Sequence, residues 1–230
     1  DGYRDLSWSD HWSFFLSAGK TFGSSTVLKF NAYGSPIKNH LAYIGVTKDY
    51  LDGKITGDAR KDRRYNFLNF DNETDNYFQP HYELVFNTQP SKNVMISNTL
   101  SYIRGEGYFV TNYPVYYGYD FSYFRLNPFF TSDSSAYNST YYRRNPDGTL
   151  YTEPGKGYMI DKSDLVTNLV VNNNDYGWYP KVQIKHNKEK GTLVIGGEVR
   201  IHNSEHYGEI AFGNALPQGT PDNYQYYYYE

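Results

Sequence analysis

The feature that most constrains this chain is a unit that occurs three times: an alternating apolar and polar run, a short turn, a second alternating run, then a long polar stretch. The paired runs are Trp12–Phe22 with Thr26–Tyr33, Phe78–Thr88 with Val94–Ile103, and Tyr176–His186 with Thr192–His202. The turns inside the pairs are Gly23–Ser25, Gln89–Asn93 and Asn187–Gly191. Side chains of an extended strand point to opposite faces in turn, so each run reads as a strand with one apolar and one polar face. Short turns at one end and long loops at the other are the signature of an antiparallel transmembrane β-barrel.

Parity sorts the residues. One face carries Trp12, Phe14 and Leu16, then Leu28 and Phe30, then Phe78, Tyr82, Leu84 and Phe86, and later Trp178, Val182, Ile195, Val199 and Ile201. The other carries Ser13, Ser17, Lys29, Asn31, Glu83, Asn87, Lys181, Glu198 and Arg200. A soluble β-sandwich would alternate as well, so the aromatics decide between the two. If the short turns share one side, Trp12, Phe14, Phe78, Tyr82, Tyr176 and Trp178 all fall at one level of the apolar face, as a membrane girdle requires. On this reading Lys181, Glu198 and Arg200 face the lumen. A register pairing Asn187 with Thr192 would set Lys181 opposite Glu198.

Composition narrows the function classes. No cysteine is present, so there is no thiol nucleophile, disulfide framework or cysteine metal site. A net charge of −3 argues against a nucleic-acid partner held by phosphate neutralisation. No run approaches the ~20 apolar residues of a transmembrane helix. The first residues, Asp1-Gly2-Tyr3-Arg4-Asp5, read as the middle of a loop, and the last break off within an aromatic run, Tyr226-Tyr227-Tyr228-Tyr229-Glu230. The chain is therefore expected to be an internal piece of a longer one.

Several segments carry a family resemblance: His11-Trp12-Ser13-Phe14, Lys48-Asp49-Tyr50-Leu51-Asp52-Gly53, Asp71-Asn72-Glu73-Thr74-Asp75-Asn76-Tyr77, Asn173-Asn174-Asp175-Tyr176-Gly177 and Glu205-His206-Tyr207-Gly208-Glu209. In order and spacing they resemble the barrel region of TonB-dependent outer-membrane receptors, especially those of Bacteroidetes. The resemblance implies an outer-membrane barrel of roughly 22 strands plugged by an N-terminal domain. It also implies uptake of a scarce nutrient, with ferric siderophores leading, driven by a TonB-type energy-coupling protein. Residues 1–230 would then be part of a single β-barrel domain, an incomplete set of six to seven strands without plug, coupling box or closing strand. The implied partners are outer-membrane lipid, a small-molecule ligand such as a metal chelate, and the coupling protein through the missing plug. No cofactor is implied.

The long stretch from Gly105 to about Asp175 is the richest chemically. Tyrosine faces stack on sugar or catecholate rings, and arginine pairs with carboxylates. Tyr108, Tyr116, Tyr117, Arg143 and Arg144 are the ligand-binding candidates, and Asn145-Pro146-Asp147-Gly148-Thr149 reads as a tight turn between short strands. Other motifs are weak. Ser17-Ala18-Gly19-Lys20 and Ser35-Pro36-Ile37-Lys38 match a Ser-x-x-Lys pattern, but that chemistry needs a helix and the first lies in a strand. His202 and His206 with Glu205 and Glu209 lie on a strand end, where imidazoles four apart do not converge on one ion. Asp71-Asn72-Glu73-Thr74-Asp75 lacks the glycine and distal glutamate of a helix-loop-helix calcium site. The reading is thus non-enzymatic. Its rivals are a soluble or cell-surface β-protein that binds glycans through its tyrosines, and a small outer-membrane barrel enzyme.

Overall fold

A computed structural model describes residues 2–186 and 191–227. Along the chain, β1 (Ser9–His11), β2 (Phe14–Phe22), β3 (Thr26–Gly34) and β4 (Ile37–His40) precede two short helices, α1 (Lys48–Leu51) and α2 (Ala59–Arg64). Then come β5 (Thr74–Phe78), β6 (His81–Ser91) and β7 (Val94–Tyr113). A loop region holds β8 (Phe129–Thr131), β9 (Thr152–Glu153) and β10 (Gly157–Ile160). The chain returns through β11 (Leu165–Lys185), β12 (Thr192–Gly196), β13 (Val199–Gly213) and β14 (Tyr224–Tyr226).

Eleven of these strands form one antiparallel sheet, and β8, β10 and β9 form a second. In the large sheet the strands join end to end into long lines that meander in chain order: β1 with β2, β4 with β3, β5 with β6, then β7, β11, and β12 with β13, flanked by β14. The breaks have a backbone cause. Pro36 lies between β3 and β4, and Pro80 between β5 and β6, where neither can donate to a ladder. Pro180 lies inside β11, and its carbonyl accepts from Gly197 at 3.0 Å. Its missing N–H faces the same neighbour, which breaks there into β12 and β13.

The register aligns the expected faces across six lines. One row runs Leu16, Ala32, Tyr82, Tyr102, Tyr176, Ile201; the next runs Ala18, Phe30, Leu84, Leu100, Trp178, Val199. Between them on the opposite face runs Ser17, Asn31, Glu83, Ser101, Gly177, Arg200. On that polar face Ser17 donates to Asn31 at 3.0 Å, Asn31 to Glu83 at 3.0 Å, and Tyr33 to Glu83 at 3.1 Å. The turns at 23–25 and 92–93 lie at the same end, and the paired ends Lys185 and Thr192 lie there too. The expected turn Asn187–Gly191 falls, but for its last residue, outside the described residues.

The sheet does not close, and this corrects the barrel reading. Among the described residues β1 and β2 pair only with β4 and β3, β12 only with β11, and β14 only with β13. The first and last lines therefore keep free edges. Closure needs enough tilted and staggered strands to bring those edges together, about eight in the smallest barrels, and the last line here is only three residues long. An open sheet encloses no lumen. The expectations of a transmembrane barrel and of a receptor importing ferric siderophore fall with it. Among the described residues no helix is long and apolar enough to cross a membrane, which says nothing of strands.

The buried core lies at the long-loop end. Phe121, Phe124, Tyr141, Tyr142 and Ile160 from the loop region pack with Leu165, Ile210 and Tyr226 from the sheet. At the short-turn end the apolar face stays open, with Leu16 at 59%, Ile195 at 60% and Ile201 at 58% exposure.

Candidate functional site

The loop region between β7 and β11 is folded by local hydrogen bonds that the sequence specifies. The Asp120 carboxylate accepts from the Ser122 amide at 3.0 Å and its hydroxyl at 2.5 Å, an Asx turn that starts the 120–126 bend. Asp147 does the same for Thr149, at 2.9 and 2.6 Å, and closes the Asn145–Thr149 turn with Asn145 N–H donating to Thr149 at 2.9 Å. Tyr142 bridges Ile160, Arg143 N–H donates to Met159 at 3.0 Å, and Phe121 N–H donates to the Asp161 carbonyl at 2.7 Å. These backbone pairings set Asp120, Arg143 and Asp161 side by side.

Together they line a cleft of about 580 Å³ with Ser122, Tyr142, Arg144 and Lys162. The Arg143 guanidinium lies over the Tyr151 ring, 5.4 Å from its centroid, and reaches Met159 Sδ at 3.7 Å. Arg144 donates to the Gly148 carbonyl at 2.8 Å and the Ser139 carbonyl at 3.4 Å. The two carboxyl groups are shifted in opposite directions. The Ser122 hydroxyl bond holds Asp120 below the usual carboxylate range, whereas burial pushes Asp161 up. Asp161 Oδ1 is buried with no hydrogen-bond partner.

The five residues expected to bind ligand fall in three places. Arg143 and Arg144 share the cleft. Tyr116 and Tyr117 stand on a short 3-10 turn, Val115–Tyr117, edge to face with centroids 5.0 Å apart. Their exposures are 73% and 47%, and the next residue, Gly118, lines the cleft with a φ of 83°. Tyr108 is not in the loop at all. It lies in β7, paired with Asn76 and Val170, beside a separate groove. Sequence reasoning missed Asp120, Asp161 and Lys162. The one available signal was the acidic and basic pair Asp161-Lys162 closing a tyrosine-rich stretch.

Lys181, Glu198 and Arg200 lie on the polar side of an open sheet, so the lumen assignment is corrected. Lys181 faces Gly196, not Glu198, because the hairpin pairs Lys185 with Thr192. Glu198 instead pairs with Arg200 at 3.1 Å, both exposed, and Arg200 lies over Tyr179. Among the aromatics of the apolar face, Trp12, Phe14 and Phe78 form one chain of contacts at 5.9 and 6.4 Å. Tyr82 and Tyr176 are joined through Tyr102, at 6.1 and 5.0 Å. Trp178 lies one row below and donates to Asn98 at 3.2 Å.

The remaining motifs hold structure. Ser17 is bonded to Asn31, and Ser35 donates to the Trp12 carbonyl at 2.9 Å. His202 bonds Asp175 at 2.6 Å and His206 bonds Ser204 at 2.6 Å. Glu73 caps the Phe70 amide at 3.1 Å. Among the described residues no three His, Asp or Glu side chains are grouped to hold a metal ion.

No family model matches this sequence, and no curated protein matches it. Among solved structures the chain is similar to the open form of the Ferric-Catecholate import receptor Fiu from E. coli K12. The TM-score is 0.52 at 12% identity, over 94% of this chain and 30% of that one. Likeness at that identity concerns fold alone, a β-rich arrangement, and this chain spans about 30% of the other chain's length.

Proposed function

We propose that this chain is the ligand-binding part of a cell-surface β-protein that takes glycans at its long-loop end. The observation that carries the reading is the cleft itself, where charged and hydrogen-bonding groups from Asp120 to Lys162 converge next to exposed tyrosines. Sugar rings offer hydroxyls to carboxylates and amides, and C–H faces to aromatic rings. Tyr116 and Tyr117 supply such faces beside the cleft's Gly118. The sheet serves as a rigid support that holds the loop region by its base.

We propose further that the apolar face of the sheet lies on membrane lipid at a bacterial cell surface. Two features support lipid over another protein. The apolar rows are bordered by a band of aromatics from Trp12 to Tyr176, the residue types that settle at the headgroup boundary. The opposite face of the same strands is polar and hydrogen-bonded.

The test is glycan binding by the chain in mild detergent, before and after Tyr116→Ala with Tyr117→Ala. An aromatic contact contributes roughly 0.5–1.5 kcal/mol, so each ring should account for about a two- to tenfold change in affinity. Absence of binding to any glycan by the folded chain would reject the proposal.

A further inference from the structure

The charges in the cleft specify what kind of glycan fits, an inference that rests on the glycan-binding reading. Three cations line it: Arg143, Arg144 and Lys162. Among the described residues none of the three forms an ion pair with a carboxylate. Arg143 is held by a ring and a thioether, and Arg144 by two neutral carbonyls, so both keep their full charge and unused N–H donors. Of the two acidic residues in the cleft, Asp120 already spends Oδ1 on the Ser122 hydroxyl and amide. Asp161 is half-buried with Oδ1 unpartnered. Arg143 and Lys162 do act electrostatically on Asp161, and Lys162 on Asp120, but three cations against two carboxyl groups leave a local positive excess in a chain of net charge −3.

We propose that the cleft binds acidic glycans, chains of uronic-acid type whose ring carboxylates are taken by Arg143, Arg144 and Lys162. A guanidinium matches a carboxylate with two parallel N–H donors, which a neutral sugar cannot exploit.

The experiment is calorimetric titration of the full chain in mild detergent with trigalacturonate and with a neutral galactose trisaccharide of the same length. Trigalacturonate should bind at least tenfold more tightly at low salt, and the advantage should shrink as salt rises. Arg143→Gln with Arg144→Gln should abolish the advantage, while Arg143→Lys with Arg144→Lys keeps the charge and part of the binding. Lys162→Gln, which leaves the arginine contacts to Met159 and Gly148 in place, serves as a second probe and should weaken trigalacturonate alone. Equal binding of both trisaccharides would overturn the acidic preference and leave glycan binding standing. Full displacement by inorganic phosphate or sulfate would overturn it as well, by showing an unspecific anion site. Binding of neither trisaccharide by folded protein would overturn both proposals.

Discussion

Asp164 ties the loop region to the sheet through both its oxygens. It accepts from the Val115 amide at 2.7 Å, from the Tyr141 hydroxyl at 2.5 Å and from Asn214 at 3.3 Å. Tyr141 is buried, and burial first, then the Asp164 bond, pushes its phenol above the ordinary range. Asp164→Ala leaves these donors without their acceptor and should cost about 1–3 kcal/mol. The check is thermal unfolding together with proteolysis between β7 and β11, where cleavage should rise while the sheet persists. Asp161 offers a pH test. Its folded pKa lies above the unfolded one, so the fold binds the proton more tightly. Its stabilising share is present below the unfolded pKa, near 3.8, and is lost as pH rises through the folded value. Asp161→Asn removes the ionisable group. It should therefore raise the melting temperature at pH 7 relative to the parent, with the difference shrinking toward pH 4. A difference that does not vary with pH would contradict the assignment.

At the level of elements, β7 and β5 approach most closely at Gly107. A Cβ there would run into the Asn76 carbonyl oxygen and the Tyr77 ring. Backbone cannot move aside as a side chain can, so Gly107→Ala should cost about 1–3 kcal/mol or more and free β5 and the helical loop before it. Hydrogen exchange should show faster opening of residues 74–78 with β6 unaffected. The same strands show what was legible from sequence. Alternation in Phe78–Thr88 and Val94–Ile103 reported the faces, because one face is apolar in the register found apart from Thr88 and Asn98. Beyond Ile103 the sequence Arg104–Gly107 does not alternate, and neither does Asn172–Asn174 opposite it, yet both continue as strand. Their hydrogen bonds come from the ladder, which is indifferent to side-chain polarity, so they read as loop. Lys181 and Glu198 missed each other for a related reason: register was set by the pairing of Lys185 with Thr192 and by Pro180, neither of which alternation encodes. Of the cleft, Arg143 and Arg144 could be named from composition. Asp120 and Asp161 come together through a Phe121 backbone bond between segments some forty residues apart, which no local pattern shows.

For the whole molecule, the proposal sets the apolar face of the sheet on lipid and the ligand at the loop region. If the apolar face lies on lipid, Trp178 should be quenched by brominated acyl chains once Trp8→Phe and Trp12→Phe remove the other indoles. A reporter on the polar face, Thr99→Trp in a background of Trp178→Phe, should be unaffected. Equal quenching of both would contradict the two-faced account. The most direct test of where function resides is photoaffinity labelling of the chain with a uronic-acid oligosaccharide bearing a diazirine, followed by peptide mapping. Label is expected within residues 116–128 and 140–162, around Arg143 and Asp161, and competed away by unlabelled oligosaccharide. Competable label confined to the polar sheet face, around Lys181 and Arg200, would contradict the account.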